Sequence, residues 1–296
     1  MSEMVGLVVF KGDRPSNHSS AEKFVEHVNN QLGHPLTRII EYSNLVFERR
    51  GSELCVTEIS NDKPLESIAK AFYVRDYHGH RAERYAVARY LIARGAHVFN
   101  TDTTSTETIS KLEQMVVLST EGISIPDFVY SNRPDSIKID LGLPLIVKSI
   151  VDSGGRMNFL VTSEAEAIKQ VNNMGGKAVI QRYIENDGDY RVVVLYGQPV
   201  IAYKRSRIDP KANHLNNVFQ GAKRTIIEDK DVISLALAVA KLLSREFCGV
   251  DIIRDNVSDR LYVLECNFNA GMNILGDGVD EQYFKRAAEI IASKLA

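Results

Sequence analysis

Two apolar stretches joined by a polar turn, GVDIIRDNVSDRLYVLECN at 249–267, predict a β-hairpin. With the turn centred near Ser258, position 251 lies opposite 265. Residues two apart share a face, so Asp251, Glu265 and Asn267 point the same way. Three oxygen donors on one face suit a hard cation, and magnesium is held by one or two carboxylates plus substrate phosphates. Taken alone, the segment also reads as a solvated hairpin with a polar outer face.

The first hundred residues alternate strand-like and helix-like patterns. Apolar runs occur at 5–10 (VGLVVF), LTRII, NLVFE, ELCVTE and 71–76 (AFYVRD), with an amphipathic stretch from Ala21 to Leu32. A helical period from Arg84 to Ala93 is ended by Gly95 before the strand AHVFN. A helix between two short apolar strands is a βαβ unit, so a small α/β domain is predicted here. The polar NTDTTSTET at 100–108 marks its boundary. Beyond it, a helix is predicted from Glu107 to Gly122 and a strand at LPLIVKSIV. A capping box of Ser163 and Glu166 opens the next helix, which Gly175 and Gly176 end. A strand AVIQRYI, a hairpin DYRVVVLYGQPVIAYKRS, a helix DVISLALAVAKLLSRE and a last helix from Glu281 follow. The weakly periodic stretch from Asp209 to Arg224 reads as a loop over a site.

Composition narrows the function classes. With 44% hydrophobic residues among 296, the chain can bury a sizeable core in two or three units. A net charge of −2 with dispersed Lys and Arg argues against nucleic acid and membrane surfaces as partners. Cys55, Cys248 and Cys266 lack CxxC spacing and read as packing residues in a reducing compartment. The N-terminal stretch has too short an apolar run for a signal peptide, so a cytoplasmic protein is expected.

Lys148 interrupts the apolar strand LPLIVKSIV, where a charge is costly unless it pairs or meets a ligand. Downstream, SGGR at 153–156 offers backbone N–H groups that can approach phosphate oxygens, and Arg156 adds charge. An ordinary turn with an edge lysine would look the same. Lys204, Arg205, Asp189 and Arg191 flank apolar strands, so the cations at 148, 156, 191, 204 and 205 could converge on a triphosphate. Phosphoryl transfer calls for that set, with metal bridging the phosphates and Lys or Arg over the developing charge. The alternative is sheet-face ion pairing, of Asp189 with Lys204 or Arg191.

The order of KLEQMVVL, IPDFV, PLIVKSIVDSGG, AVIQRYIENDGDYRVVV, PVIAYKR, GVDII and LECNFNAG over residues 107–293 resembles the ATP-grasp superfamily, in its RimK-like carboxylate–amine ligase branch. The resemblance implies an α/β (α+β) chain. Two α+β ATP-grasp subdomains, 105–180 and 181–296, would follow a pre-ATP-grasp α/β domain at 1–104. It implies ATP and Mg2+, with Mn2+ as a substitute. Lys111 and Lys148 look like the nucleotide lysines, and Ser153, Gly154 and Gly155 like the phosphate loop. Gln181, Arg182, Tyr183 and Ile184 resemble the adenine hinge, and Glu185 the ribose acid. Asp251, Glu265 and Asn267 match the metal ligands, and Arg205 the residue that steadies the transferred phosphoryl group. Asp189 and Arg191 match a cleft-lining DxR pair, Lys204 adjoins Arg205, and Asn217 falls where a metal- or phosphate-contacting asparagine is usual. The chain departs from the branch at HLNNVFQGAKR, at SGGRMN, in the short IENDGDYR and at Asn269 and Ala270.

What the resemblance implies is a ligase. A carboxylate takes the γ-phosphate of ATP, and an amine displaces phosphate from the acyl phosphate to give an amide. Such chemistry rests on positioning and charge neutralisation, and no Ser/His/Asp triad or catalytic cysteine stands out. The substrates would be small-molecule, amino-acid or peptide carboxylates and amines, and dimers or tetramers are common among related ligases. Arg75 is a candidate contact to the acceptor carboxylate, or else a strand-end surface residue. The rival readings are an ATP-grasp kinase acting on a hydroxyl and a nucleotide-binding regulatory module without turnover.

Overall fold

The computed structural model describes residues 5–12, 15–32, 37–74, 80–100, 110–136, 138–150, 157–206, 223–267 and 279–295. Among the described residues of the first hundred lie six strands: β1 (Val5–Lys11), β2 (Thr37–Glu41), β3 (Leu45–Arg50), β4 (Glu53–Glu58), β5 (Ala69–Tyr73) and β6 (His97–Phe99). Four form a parallel sheet in the order β2-β1-β5-β6, while β3 and β4 pair as a separate antiparallel ribbon. Leu7, Val8, Val9 and Phe10 are all fully buried, as a central parallel strand covered on both faces requires. Helix α1 (Pro15–Leu32) covers one face through Phe24 and Val28, and α2 (Arg81–Ala93) covers the other through Val87, Ala88 and Leu91. The first helix begins ahead of the amphipathic run at Ala21, at a proline whose fixed φ suits a first helical position.

Helix α3 (Lys111–Thr120) begins later than Glu107, because the Ser110 hydroxyl accepts the Glu113 N–H at 3.1 Å and sets the cap there. A second, antiparallel sheet follows, made of β7 (Phe128–Val129), β8 (Leu145–Ser149), β9 (Asn158–Val161) and β10 (Ala178–Arg182) in the order β7-β10-β8-β9. Helix α4 (Glu164–Asn173) backs it with Ala167 and Val171. The capping box forms, with the Ser163 hydroxyl accepting Glu166 N–H at 3.2 Å. The Glu166 carboxylate reaches one residue further back, to Thr162 N–H at 3.3 Å. Strand β10 runs to Arg182, just past the boundary placed at 180.

The third sheet is antiparallel with five strands: β11 (Asp189–Leu195), β12 (Gln198–Ser206), β13 (Lys223–Ile226), β14 (Phe247–Arg254) and β15 (Leu261–Asn267), in the order β13-β12-β11-β14-β15. The β11–β12 hairpin turns through Tyr196 at φ 49° and Gly197 at φ 71°, the left-handed pair that a two-residue type I′ turn needs. Helix α5 (Lys230–Leu242) covers one face with Val232, Ala236 and Val239. On the other face Val193, Leu195 and Ile201 share a core with Tyr283, Phe284 and Ile291 of α6 (Val279–Leu295) and with Phe24 and Val28 of α1. That face changes character along β11: Val193 and Leu195 enter the core, whereas Arg191 and Asp189, two and four residues before Val193, carry charge. Among the described residues no helix is long and apolar enough to cross a membrane.

Candidate active site

The charged half of this face is assembled by a fault in its ladder. Next to the β14–β15 turn the pairing is Arg254 with Leu261, Ile253 with Tyr262 and Ile252 with Val263. Continued unchanged, it would set Asp251 opposite Leu264 and turn Glu265 to the far side. The register instead slips by one residue, so Asp251 pairs with Glu265 and Gly249 with Asn267, leaving Leu264 as the extra residue of a β-bulge. The bulge is what places Asp251, Glu265 and Asn267 on one face.

Strand β15 is an edge strand, and the preceding segments satisfy its outward-facing backbone. Val263 N–H donates to Ser124 O at 2.9 Å, and Cys266 N–H donates to Gln114 Oε1 at 2.9 Å. Lys148 Nζ donates to the carbonyl of the bulged Leu264 at 3.3 Å. Lys111, one helical turn from Gln114, reaches Glu265 at 3.4 Å. The two lysines thus meet the hairpin from α3 and β8.

On the hairpin, Asn267 Nδ2 donates to Glu265 Oε1 at 2.8 Å and to Asp251 Oδ2 at 3.3 Å. Both carboxylates therefore converge on one point, now held by an amide N–H2 group. No three His, Cys, Asp or Glu side chains among the described residues could hold a metal together. A cation at that point would rely on two carboxylates, the Asn267 amide turned to present its oxygen, and ligand oxygens, a donor set that fits magnesium.

Asp251 is also the hub of a buried charge network. Arg191 binds it with two donors, Nε to Oδ1 and Nη2 to Oδ2, the second at 2.7 Å. Arg205 Nη2 reaches Asp251 Oδ1 at 2.9 Å and also binds Asp189, through Nε at 2.8 Å and through Nη2. Asp189, Arg205 and Asp251 are 5%, 6% and 4% exposed. A Cβ on Gly249 would lie 2.6 Å from Arg191 Nη1, so a glycine there leaves the guanidinium its room.

Burial pulls the Lys148 ammonium down to about 8, aided by repulsion from Lys111 and opposed by Glu265. For Glu265 burial acts upward, yet Lys111, the Asn267 hydrogen bond and Lys148 together hold the carboxyl at about 2. Burial raises Asp189 to about 6 against the pull of Arg205. Burial acts downward on Arg205 and Arg191, but Asp251, joined for Arg205 by Asp189, keeps both above their ordinary value.

The structure thus brings Lys111, Lys148, Asp189, Arg191, Arg205, Asp251, Glu265 and Asn267 together. It does not bring Lys204: next to Arg205 on a strand, it leaves the opposite face, where Nζ pairs with Asp187 at 2.6 Å and lies 5.6 Å from the Tyr190 ring centroid. The pairing of Asp189 with Lys204 or Arg191 is likewise corrected, since its partner is Arg205. In the hinge, Gln181 is buried with Nε2 3.2 Å from Met115 Sδ, and Arg182 turns to Asp127 and Tyr262. Tyr183 N–H donates to Pro144 O, Ile184 packs with Ile253 and Tyr262, and the exposed Glu185 accepts Asn256 N–H through its carbonyl. Ser153, Gly154, Gly155, Arg156, Asn217 and Arg75 lie outside the described residues. Sequence reasoning missed Gln114, although its spacing from Lys111 on one helix face was a usable signal.

The same segments carry the likeness to known proteins. The RimK-like ATP-grasp domain model matches residues 108–291. A probable alpha-L-glutamate ligase of Methanococcoides burtonii is 29% identical over 197 residues, 63% of this chain and 64% of the relative. Probable alpha-L-glutamate ligase 2 of Shewanella frigidimarina is 30% identical over 217 residues, 70% of each. The chain therefore spans about two thirds of the length of these relatives. Among solved structures, the ATP-grasp ligase PsnB complexed with minimal precursor, Mg and ADP aligns with a TM-score of 0.68 and 16% identity, over 100% of this chain and 99% of that one, a likeness of fold. A family match that runs from the α3 lysine through the bulged hairpin into α6 means that this chain belongs to the RimK-like ATP-grasp family.

Proposed function

We propose that this chain is an ATP-dependent carboxylate–amine ligase that forms an amide through an acyl phosphate and releases ADP and phosphate. The observation that carries the proposal is the convergence of Lys111 and Lys148, from α3 and β8, on the bulged hairpin of Asp251, Glu265 and Asn267. Family membership and the ligases among the relatives support it over a hydroxyl kinase or a module without turnover.

In this reading Asp251, Glu265 and Asn267 hold Mg2+, or Mn2+ in its place. Bound there, the ion would screen the phosphate charge that repels an incoming carboxylate. Lys148 and Lys111 bind phosphate oxygens, with Ser153, Gly154 and Gly155 as the phosphate loop. The backbone of Gln181–Ile184 receives adenine and Glu185 the ribose. Arg205, a guanidinium that is charged at every working pH and is held in place by Asp251 and Asp189, stabilises the transferred phosphoryl group. Asp189 orients Arg205, Arg191 orients Asp251, and Asn217 is retained as a further contact. Asp251 already accepts from both arginines and from Asn267, so it must give up one of these bonds to a cation. Four cations gathered on the hairpin, Lys111, Lys148, Arg191 and Arg205, suit an anionic nucleotide. The substrates are small-molecule, amino-acid or peptide carboxylates and amines, the protein is cytoplasmic, and the chain divides at 104 and 180 into three parts.

The test is ADP release from MgATP with candidate acids, with hydroxylamine as the trap. A ligase yields a hydroxamate of the activated acid, and a kinase does not. Glu265→Gln should lower turnover by about a hundredfold or more, the effect of losing one preorganised charge-stabilising group. Wild-type rates in that variant at limiting magnesium would refute the metal assignment.

A further inference from the structure

Arg224 of β13 pairs directly with Arg205 in the β12–β13 ladder, so both side chains leave the same face of the sheet. Like charges in such positions repel unless anions intervene. Arg205 has its anions in Asp189 and Asp251. Arg224 has no hydrogen bond or ion pair among the described residues, and its Nε is buried without a partner. The carboxylates on this face are committed elsewhere: Asp189 to Arg205, Asp251 to Arg191 and Arg205, and Glu265 to Lys111 and Asn267. A half-buried guanidinium with no anion among the described residues is placed to take one from a bound ligand.

Its position identifies which anion. In the order β13-β12-β11-β14-β15, Arg224 stands three strands from Asp251, roughly 14 Å at about 4.8 Å per strand. Arg205 lies between them. In the ligase reading the metal ligands and Arg205 would bracket the phosphoryl group, which would leave a cation on the outer side of Arg205 placed for the next group along, that of the acid substrate. A planar fork of N–H donors there matches a carboxylate with two parallel hydrogen bonds, which a point charge would not. We infer that Arg224 is a substrate-recognition residue that binds a carboxylate of the ligase substrate beside Arg205. The inference rests on the ligase reading above, and it concerns binding, so it can be tested without turnover.

Calorimetric titration of the full chain separates the two. MgADP is titrated first; if wild type does not bind it, the nucleotide reading fails whatever Arg224 does. L-glutamate and glutarate are then titrated into the MgADP-loaded protein, with neutral glutaramide as control. Wild type should bind at least one of the two carboxylates and not the amide. Arg224→Gln should weaken that binding by about ten- to a hundredfold, the effect of one lost charge-assisted pair, with MgADP affinity within about twofold. Arg224→Lys should fall between, and it carries the same comparison if Arg224→Gln does not fold. Absence of carboxylate binding to MgADP-loaded wild type, unchanged carboxylate affinity in the variants, or an equal loss of MgADP affinity would each overturn the assignment.

Discussion

Replacing Lys148 by methionine should stabilise the nucleotide-free protein while removing its grip on nucleotide. Lys148 is 7% exposed, and burial brings its ammonium from 10.5 to about 8. That displacement corresponds to about 3 kcal/mol of unfavourable burial at neutral pH. The sign follows from proton counts. Below about 8 both folded and unfolded states carry the proton and the folded state bears the full cost; between about 8 and 10.5 the folded state binds fewer protons, so stability rises with pH. Methionine has a similar length and no charge, but it gives up the hydrogen bond to Leu264 O and part of the support for Glu265. The net gain at pH 7 should be about 1 to 3 kcal/mol, or about 2 to 6 °C in Tm for a chain of this size. Affinity for MgATP should fall by about ten- to a hundredfold with the loss of a charge-assisted phosphate contact. Thermal unfolding without nucleotide at pH 7 and pH 10, paired with MgATP titration, checks both halves. The stability gain should shrink at the higher pH. A lower Tm for Lys148→Met at pH 7, or wild-type MgATP affinity, would refute the reasoning.

Two further predictions concern the same cluster. A phosphate beside Lys148 favours its charged form, so MgATP binding should take up about half a proton at pH 8 and weaken about tenfold between pH 7 and pH 9. Calorimetry in buffers of different ionisation enthalpy measures this, Lys148→Arg should flatten the dependence, and a pH-independent wild type would count against it. Gly249→Ala puts a methyl 2.6 Å from Arg191 Nη1 and 3.0 Å from its Cδ, so Arg191 must leave Asp251. We expect a wild-type circular dichroism spectrum with ADP release about tenfold slower or worse; an unaffected rate would remove Arg191 from the machinery.

Much of the fold was legible because periodicity and punctuation agreed. The fully buried β1, the capped α4 and the hairpin turning at Tyr196 and Gly197 all carry local signals that tertiary packing did not override. Strands β9 and β13 were not anticipated: one spans four residues, Asn158–Val161, and the other, Lys223–Ile226, is an edge strand with exposed Lys223, Thr225 and Ile226. Neither shows the alternation that marks a half-buried strand. Charge pairing was the least legible part. Sequence gives the strand that carries each of Asp189, Arg191, Lys204 and Arg205 but not the partner, because the partner depends on which neighbouring strand is in register.

The β14–β15 hairpin shows why the expected facing of Asp251 and Glu265 can be met for an incomplete reason. Centring the turn at Ser258 puts 251 opposite 265, and the two do pair, yet the strands leave their turn in the other register. Only the extra Leu264 reconciles the two, and nothing in LYVLECN announces it. The bulge is held from outside the hairpin: Lys148 takes the Leu264 carbonyl, Gln114 the next outward N–H at Cys266, and Ser124 the one at Val263. A single slip at Leu264 would send Glu265 and Asn267 to the α5 side of the sheet. The facing of the carboxylates is therefore a property of α3, β8 and β15 together. The two lysines proposed to bind nucleotide thus also support the hairpin, Lys148 through the Leu264 carbonyl at the bulge and Lys111 through the Glu265 carboxylate.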